Sequence, residues 1–300
     1  MTAPIKAPFP WFGGKSRVAP IVWERFGDVP NYVEPFAGSL AVLLGRPTPP
    51  KIETVNDLDC YIANFWRAIT AAPEAVAKWA DWPVNEACLH ARHRWLQDQT
   101  AFRERMHTDQ DFYDAKIAGW WVWGICAWIG PGWCVNNHRG LPHLGGSGRG
   151  VHRTTVTIYD WFAELADRLR RVRVACGDWT RVTGPLVTFG SGLTGVFLDP
   201  PYDHAGRDKN IYAHEMECSA SVREWAVANG DNPLMRIALC GYTGEHDMPA
   251  DWDAVPWKAS GGHGNQGSGR GRANASREVI WFSPHCLRPE DLFNQPTTNL

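Results

Sequence analysis

In the N-terminal part of the chain, the apolar residues follow a strand pattern in some segments and a helical spacing in others. They predict a strand at residues 32–34, a glycine turn, a helix at residues 40–44 and a second strand at residues 51–55. A longer helix is predicted at residues 58–69, where apolar side chains recur at helical spacing. This order is typical of the start of a doubly wound parallel sheet, against which the helix packs.

The C-terminal part of the chain repeats these patterns. An amphipathic helix is predicted at residues 158–171, and strands are predicted at residues 172–175, 195–198, 234–240 and 278–282. The nearly all-apolar strand at residues 195–198 is typical of a parallel strand that is buried on both faces. The polar residues that follow it are therefore expected at the carboxyl edge of the sheet, where such folds bind ligands.

The middle of the chain differs from both ends. Residues 73–153 lack a strand pattern, are rich in Trp, His and Arg, and end in a loop-like, glycine-rich run. We therefore predict an α/β protein with a Rossmann-like doubly wound sheet in residues 1–72 and 154–300. Residues 73–153 are predicted to form an inserted, mainly helical and loop subdomain.

Composition narrows the class of protein. The chain has 300 residues, of which 44% are hydrophobic, and a formal net charge of -2, which argues against a protein wrapped in nucleic acid but allows a local basic cleft. Its eight cysteines show no CxxC pair and no metal-ligand spacing with histidines, so we expect reduced thiols and no metal. There is no apolar signal core and no stretch long enough to span a bilayer. We expect a soluble intracellular protein.

The segment after the buried strand at residues 195–198 suits chemistry on an aromatic amine. Asp199 and the carbonyl of Pro200 can each accept one N–H of an exocyclic amine, so that its lone pair points at an electrophilic methyl group. Pro200 and Pro201 restrict the backbone, and Tyr202 can stack on an unstacked base. The alternative is a rigid turn with Tyr202 in the core.

An earlier turn suits a nucleotide-like ligand. Gly38 permits close backbone approach, and the helix that follows favours a carboxylate group at its N-terminus. Asp57, about 20 residues further on, is placed to accept hydrogen bonds from a ribose diol. The phosphate-binding pattern GxxxxGK[ST] is missing from the sequence, which disfavours a nucleoside triphosphate.

Taken together and in chain order, these segments resemble the Dam-type DNA adenine methylases over almost the full length. The similar segments are Trp11-Phe12-Gly13-Gly14-Lys15, Glu34-Pro35-Phe36-Ala37-Gly38-Ser39, Asn56-Asp57-Leu58-Asp59 with its helix, Gly177-Asp178-Trp179, Asp199-Pro200-Pro201-Tyr202 and Ile280-Trp281-Phe282-Ser283. One departure is Leu40, which stands where many members have a second glycine.

The resemblance implies an S-adenosylmethionine-binding catalytic domain, with an insert that recognises the DNA target. It implies that Trp11 and Lys15 approach the amino-acid end of the cofactor, Asp57 its ribose, and Asp178 with Trp179 its adenine. The turn from Glu34 to Ser39 and Asp199 are expected to complete the cofactor site. For Lys15 the alternative is a solvated lysine, and for Trp179 a core aromatic.

The implied activity is methyl transfer to N6 of a flipped adenine in duplex DNA. Two alternatives stay open: transfer to N4 of cytosine, whose enzymes more often carry Ser in place of the aspartate, and a DNA-binding protein whose catalysis has decayed. The resemblance further implies a cytoplasmic monomer in a bacterium or a phage-infected cell, and leaves open a cognate restriction endonuclease as partner.

Polar and basic residues in the insert and in a late linker are the candidates for DNA contact, because their side chains can bind phosphate and base edges and arginine reads guanine. They are Asn137, His138, Arg139, Arg149 and Arg153 in the insert, and Arg270 and Arg272 in the linker. The tryptophans at residues 120–133 are interpreted either as a stacking platform or, at helical spacing, as a compact core.

Overall fold

The computed structural model describes residues 5–11, 14–49, 51–129, 132–135, 140–144, 148–153, 157–201, 209–257 and 277–288, without the side chains of residues 209–217. Its helices are α1 (Ala19–Phe26), α2 (Ala41–Leu44), α3 (Cys60–Ala71), α4 (Pro73–Ala80), α5 (Glu86–Gln97), α6 (Thr100–Thr108), α7 (Ala115–Ala127), α8 (Ile158–Leu169) and α9 (Lys209–Gly230). Its strands are β1 (Asn31–Glu34), β2 (Ile52–Asp57), β3 (Trp128–Ile129), β4 (Leu141–Pro142), β5 (Val172–Cys176), β6 (Thr194–Leu198), β7 (Met235–Tyr242), β8 (Asp253–Pro256) and β9 (Glu278–Phe282).

Seven of these strands form one sheet in the order β5-β2-β1-β6-β7-β9-β8. The first five strands of that order run parallel, whereas β9 is antiparallel to both β7 and β8. The chain enters the sheet at its centre with β1, extends to one side through β2 and β5, and continues on the other side from β6. The predicted Rossmann-like α/β fold is confirmed, with the strand order reversing between β1 and β6.

Local sequence explains where several helices begin. The side chains of four N-cap residues accept a hydrogen bond from a backbone N–H in the first turn, which satisfies a donor that the helix leaves unpaired. These caps are Asp59 for α3, Asn85 for α5, Asp114 for α7 and Thr157 for α8. The helices predicted at residues 58–69 and 158–171 are thereby confirmed as α3 and α8, with slightly different ends.

The sheet separates two apolar clusters, because neighbouring residues of a strand point to opposite faces. In β1, Tyr32 belongs to the larger cluster, whereas Val33 belongs to the cluster that α9 covers through Val222 and Ala226. The larger cluster continues without a break from the sheet into helices α3 to α8. The mainly helical residues 73–153 therefore share the core of the sheet, and the domain boundaries at residues 72 and 153 remain a prediction.

The tryptophans of the middle segment belong to this core. Trp121, Trp123 and Trp128 are at most 2% exposed, and Trp133 is 8% exposed. Each indole removes a large apolar area from water, so these residues stabilise the helical layer. Of the two interpretations of the tryptophan cluster, the compact core is confirmed for these four residues.

No helix within the described parts of the chain is both long enough and apolar enough to cross a membrane.

Candidate active site

The candidate active site lies where the strand order of the sheet reverses. Val33 in β1 pairs with Val196 in β6, so the turn after Glu34 and the segment that begins with Asp199 leave the same sheet edge side by side. Crevices at such a switch point are the usual ligand sites of doubly wound folds. The fold thus brings together two segments that are 165 residues apart in the sequence.

A buried lysine joins three parts of the chain at this edge. The Nζ atom of Lys15 lies 2.9 Å from Oδ1 of Asp199 and 3.9 Å from Oε2 of Glu278. Lys15 is 6% exposed, which excludes the alternative of a solvated lysine. Its ammonium group also lies 5.5 Å from the ring centroid of Trp257. Asp199 is consequently held in place at the end of β6 by a charge that comes from near the N-terminus.

The pKa of Lys15 reflects two opposing causes. Burial disfavours the charged ammonium group, but the attraction of Asp199, with smaller contributions from Cys240 and Glu278, outweighs burial and raises the pKa. Lys15 therefore stays protonated at neutral pH. Its charge offsets that of Asp199, whose side chain is 19% exposed.

Two carboxyl groups at the same edge have raised pKa values. Burial raises the pKa of Glu34 to about 8, although a hydrogen bond from the Tyr32 hydroxyl opposes the shift and Asp199 adds to it. Burial raises the pKa of Glu278 to about 7 against the opposing effect of Lys15. The site thus holds carboxyl groups that exchange protons near neutral pH, a common property of functional sites.

The glycine turn after β1 has a backbone that explains its sequence. Gly38 has φ +44°, and a Cβ atom there would lie 2.6 Å from Nε1 of Trp11, so only glycine fits against that indole. Leu40 also adopts a left-handed conformation, with φ 52°, although it is fully buried. A glycine at position 40 would relieve this strain but would leave the apolar volume of the leucine unfilled.

Asp57 is tied to the glycine turn. Its Oδ2 accepts a hydrogen bond of 2.9 Å from the N–H of Gly38, and its Oδ1 accepts one of 2.9 Å from the N–H of Asp59. Burial raises the pKa of Asp57 to about 7, with Asp59 adding to the shift and the hydrogen bond from Gly38 opposing it. Each carboxylate oxygen retains a second lone pair, with which it can accept a ligand hydroxyl.

Asn56 connects the three segments that were expected to contact the cofactor. Its amide Nδ2 donates to the carbonyl of Pro35 at 3.0 Å and to the carbonyl of Gly177 at 2.9 Å. Asn56 is 1% exposed, so these bonds are shielded from water. In the sequence, Asn56 stands out only as the neighbour of Asp57. Its contacts with both turns are evident only in the fold.

An aromatic pair lies beside these turns. The rings of Phe36 and Trp179 are stacked, with their centroids 6.5 Å apart. Trp179 is only 9% exposed, so it is largely buried, as the alternative of a core aromatic predicts. Asp178 is exposed, and its carboxylate accepts hydrogen bonds from the N–H and the hydroxyl of Thr180. The structure therefore brings the predicted segments Glu34–Ser39, Asp57 and Asp178–Trp179 to one edge.

Several predicted contact residues lie elsewhere. The Arg149 guanidinium donates to the carbonyls of Cys126 at 3.1 Å and of Trp128 at 2.8 Å, next to the C-terminus of α7. Burial lowers its pKa. Arg153 is exposed. Of the remaining predictions, Tyr202, Asn137, His138, Arg139, Arg270 and Arg272 lie outside the described residues.

Comparison with known families agrees with this geometry. Residues 11–102 match the family model described as D12 class N6 adenine-specific DNA methyltransferase. The matched residues include Trp11, Lys15 and Asp57, together with the glycine turn. A search of curated proteins finds no match for this chain.

The D12 match confirms the resemblance to adenine methylases and the prediction that the chain is an enzyme. The family acts on DNA and is specific for adenine N6, which supports adenine rather than cytosine as the acceptor. Asp178 and Asp199 lie beyond the matched segment, so their roles, like those of the individual cofactor residues, remain predictions.

Glu278 is the site residue that sequence reasoning missed. It was recognised only as the start of a strand, yet β9 is antiparallel and therefore begins where the parallel strand β7 ends, with Glu278 paired to Tyr242. This reversal brings Glu278 to the carboxyl edge beside Lys15. The one signal in the sequence was a carboxylate at the head of an otherwise apolar strand.

Proposed function

We propose that this enzyme transfers a methyl group from S-adenosylmethionine to N6 of an adenine that is flipped out of duplex DNA. The observation that carries the proposal is the 2.9 Å ion pair between Lys15 and Asp199 at the switch point of the sheet. It joins the matched N-terminal segment to the Asp-Pro-Pro-Tyr segment. This contact supports a cofactor site next to Asp199.

The residues of the first half fit S-adenosylmethionine by their chemistry. Asp57 offers carboxylate acceptors for the ribose hydroxyls, and Phe36 with Trp179 offers apolar ring surface for the adenine. Burial raises the pKa values of Glu34 and Glu278 at this edge, and the ammonium and sulfonium cations of a bound cofactor would favour their charged forms. When bound, the cofactor supplies an electrophilic methyl group.

The second half would orient the target amine. Asp199 and the carbonyl of Pro200 each accept one of its N–H bonds, and the lone pair is left to face the methyl group. Pro200 is buried, which restricts the position of that carbonyl. The proton that the amine loses after transfer passes to solvent, so a strong base is not required. Tyr202 would stack on the flipped base.

DNA binding is proposed for polar and basic residues of the middle segment and of the late linker. Arg153 is the described residue best suited to a phosphate contact, together with the candidates at residues 137–139, 270 and 272. Arg149 instead donates to backbone carbonyls, and we propose that it holds the adjoining segment in place. An N4-cytosine acceptor and a non-catalytic DNA-binding protein remain the alternatives, and a monomer with or without a restriction partner is compatible with the proposal.

The test is methyl transfer from labelled S-adenosylmethionine to unmethylated duplex DNA, followed by nucleoside digestion and mass analysis. We expect N6-methyladenine from the wild type and a rate lower by roughly 10²–10³-fold for Asp199→Ala, since one acceptor of the reacting amine is lost. Asp167→Ala, on the exposed face of α8, is the matched control and should retain the wild-type rate.

The outcomes separate the alternatives. N4-methylcytosine in the digest would replace adenine by cytosine as the acceptor. If the wild type binds both S-adenosylmethionine and DNA but forms no methylated base, the non-catalytic alternative takes the place of the proposal.

A further inference from the structure

Two thiols and an imidazole meet at the outer part of the same sheet edge. Cys60 is the first residue of α3, Cys176 is the last residue of β5, and His107 lies near the end of α6. They are far apart in the sequence: His107 lies 47 positions after Cys60, and Cys176 lies 116 positions after Cys60. No spacing motif marks them, which is why the sequence predicted no metal.

Two of the three separations between their ligand atoms match the edges of a tetrahedral cation site. The Sγ atoms of Cys60 and Cys176 are 3.8 Å apart, and Sγ of Cys60 is 3.4 Å from Nε2 of His107. With Zn–S of about 2.3 Å and Zn–N of about 2.0 Å, a tetrahedral site has S···S edges of about 3.8 Å and S···N edges of about 3.5 Å. The third pair, Cys176 and His107, also lies within 4.8 Å.

The surroundings suit a cation that displaces thiol protons. Cys176 donates its S–H to the sulfur of Cys60, so the two sulfur atoms already face each other. Cys60 and Cys176 are buried, whereas His107 is exposed, so one side of the cluster faces solvent. A cation can therefore enter past the imidazole, which can rotate to close the third edge.

We propose that Cys60, His107 and Cys176 bind a thiophilic divalent cation of the Zn²⁺ type. Two sulfurs and one imidazole nitrogen form the ligand set that this class of cation prefers, and a water molecule completes the tetrahedron. Each thiol gives its proton to solvent as its sulfur binds the metal.

The bound cation would link the start of α3 to the end of β5. Cys176 is the Cα partner of Asp57 in the β2–β5 pairing, and the N–H of Gly177 donates to the carbonyl of Asp57 at 3.0 Å. The metal would thus tie together the two turns that carry Asp57 and Asp178. The proposal of this metal site does not depend on the proposed methyl transfer.

The test is a titration of the reduced, metal-free protein with Co²⁺ under anaerobic conditions, followed by absorption spectroscopy. We expect thiolate-to-cobalt charge-transfer bands in the near ultraviolet and intense tetrahedral bands in the visible, both saturating at one equivalent. Zn²⁺ should abolish them by displacing Co²⁺. Cys176→Ser should lower the charge-transfer intensity to about half, because one of two thiolates is lost.

His107→Ala is the informative variant, since an exposed side chain can be removed without loss of the fold. It should weaken Co²⁺ binding by about tenfold or more, the cost of one ligand bond. Cys88→Ser and His285→Ala, which change a cysteine and a histidine outside the cluster, should leave the spectrum unchanged. Absence of the charge-transfer bands in the wild type, or an unchanged spectrum in His107→Ala and Cys176→Ser, would overturn the proposal.

Discussion

Lys15 and Arg92 are both buried cations, yet their surroundings differ in kind. Lys15 lies between the carboxylates of Asp199 and Glu278 at the sheet edge. Arg92 is 7% exposed in the helical layer, where its guanidinium carbon lies 4.1 Å from the ring centroid of Trp123 and 5.0 Å from that of Trp120. Within the described part of the chain, Nη1 of Arg92 has no hydrogen-bond partner.

The difference shows two uses of a buried charge. At the sheet edge the charges are paired, and the pKa values of Glu34 and Glu278 lie near neutrality, so binding a charged ligand can shift protons. In the helical layer, burial lowers the pKa of Arg92, and the long side chain acts mainly as packing material between aromatic rings. The first region is suited to chemistry and the second to holding the fold.

The largest effect is expected from Lys15→Met. Removing one partner leaves Asp199 and Glu278 without their cation, so the free energy of unfolding should fall by roughly 3 kcal/mol, and methyl transfer should fall by about 100-fold. Urea unfolding and the nucleoside assay measure the two effects. The matched control is Lys116→Met, a lysine 4.3 Å from the ring of Trp95 in the helical layer. Equal losses of activity in both variants would contradict the contrast between the regions.

Glu34→Gln tests the proton exchange at the sheet edge. The folded-state pKa of about 8 lies above the ordinary glutamate pKa of 4.5, so the folded protein binds more protons between these values and wild-type stability is lost as the pH rises. Glutamine does not titrate. From pH 5 to pH 8 the variant should therefore gain roughly 2–4 kcal/mol relative to the wild type.

Denaturant unfolding at several pH values measures this change, with Glu164→Gln on the exposed face of α8 as control. A difference between Glu34→Gln and the wild type that stays constant with pH would show that Glu34 is already ionised in the folded protein.

The smallest effect is expected from Arg92→Met. Methionine fills much of the same volume among the tryptophan rings, so the free energy of unfolding should change by less than about 1.5 kcal/mol, with methyl transfer unchanged. Arg92→Ala removes the packing as well and should cost about 2–4 kcal/mol. If methionine is as costly as alanine in urea unfolding, the charge itself stabilises the helical layer and the contrast with Lys15 weakens.

Much of the sheet could be predicted because its signals are local. Strands β1, β2, β5, β6, β7 and β9 were all predicted within a few residues, since apolar runs and the turn residues after them depend on near neighbours. Helices α1 and α9, the short strands β3 and β4, and strand β8 were not predicted. Strand β8 alternates partly buried and exposed residues beside only one partner strand, which leaves little apolar pattern to recognise.

The site was predicted in its parts and not in its contacts. The glycine turn, Asp57 and Asp199 were singled out from their positions after strands, and the fold brings them to one edge. Arg149 was singled out for its charge, but its nearest partners are carbonyls at the end of α7. A residue type indicates what a side chain can do, whereas its partners depend on distant parts of the chain.

The sequence by itself determined the α/β class, the order of the motifs and the resemblance to adenine methylases, because periodicity and turn chemistry act over a few residues. Only the tertiary structure decided that Lys15 joins Asp199 to Glu278, that the tryptophans form a core and that Cys60, His107 and Cys176 meet. These contacts join residues up to 263 positions apart. They arise from the register of the parallel strands and the reversal at β9, which no local pattern encodes.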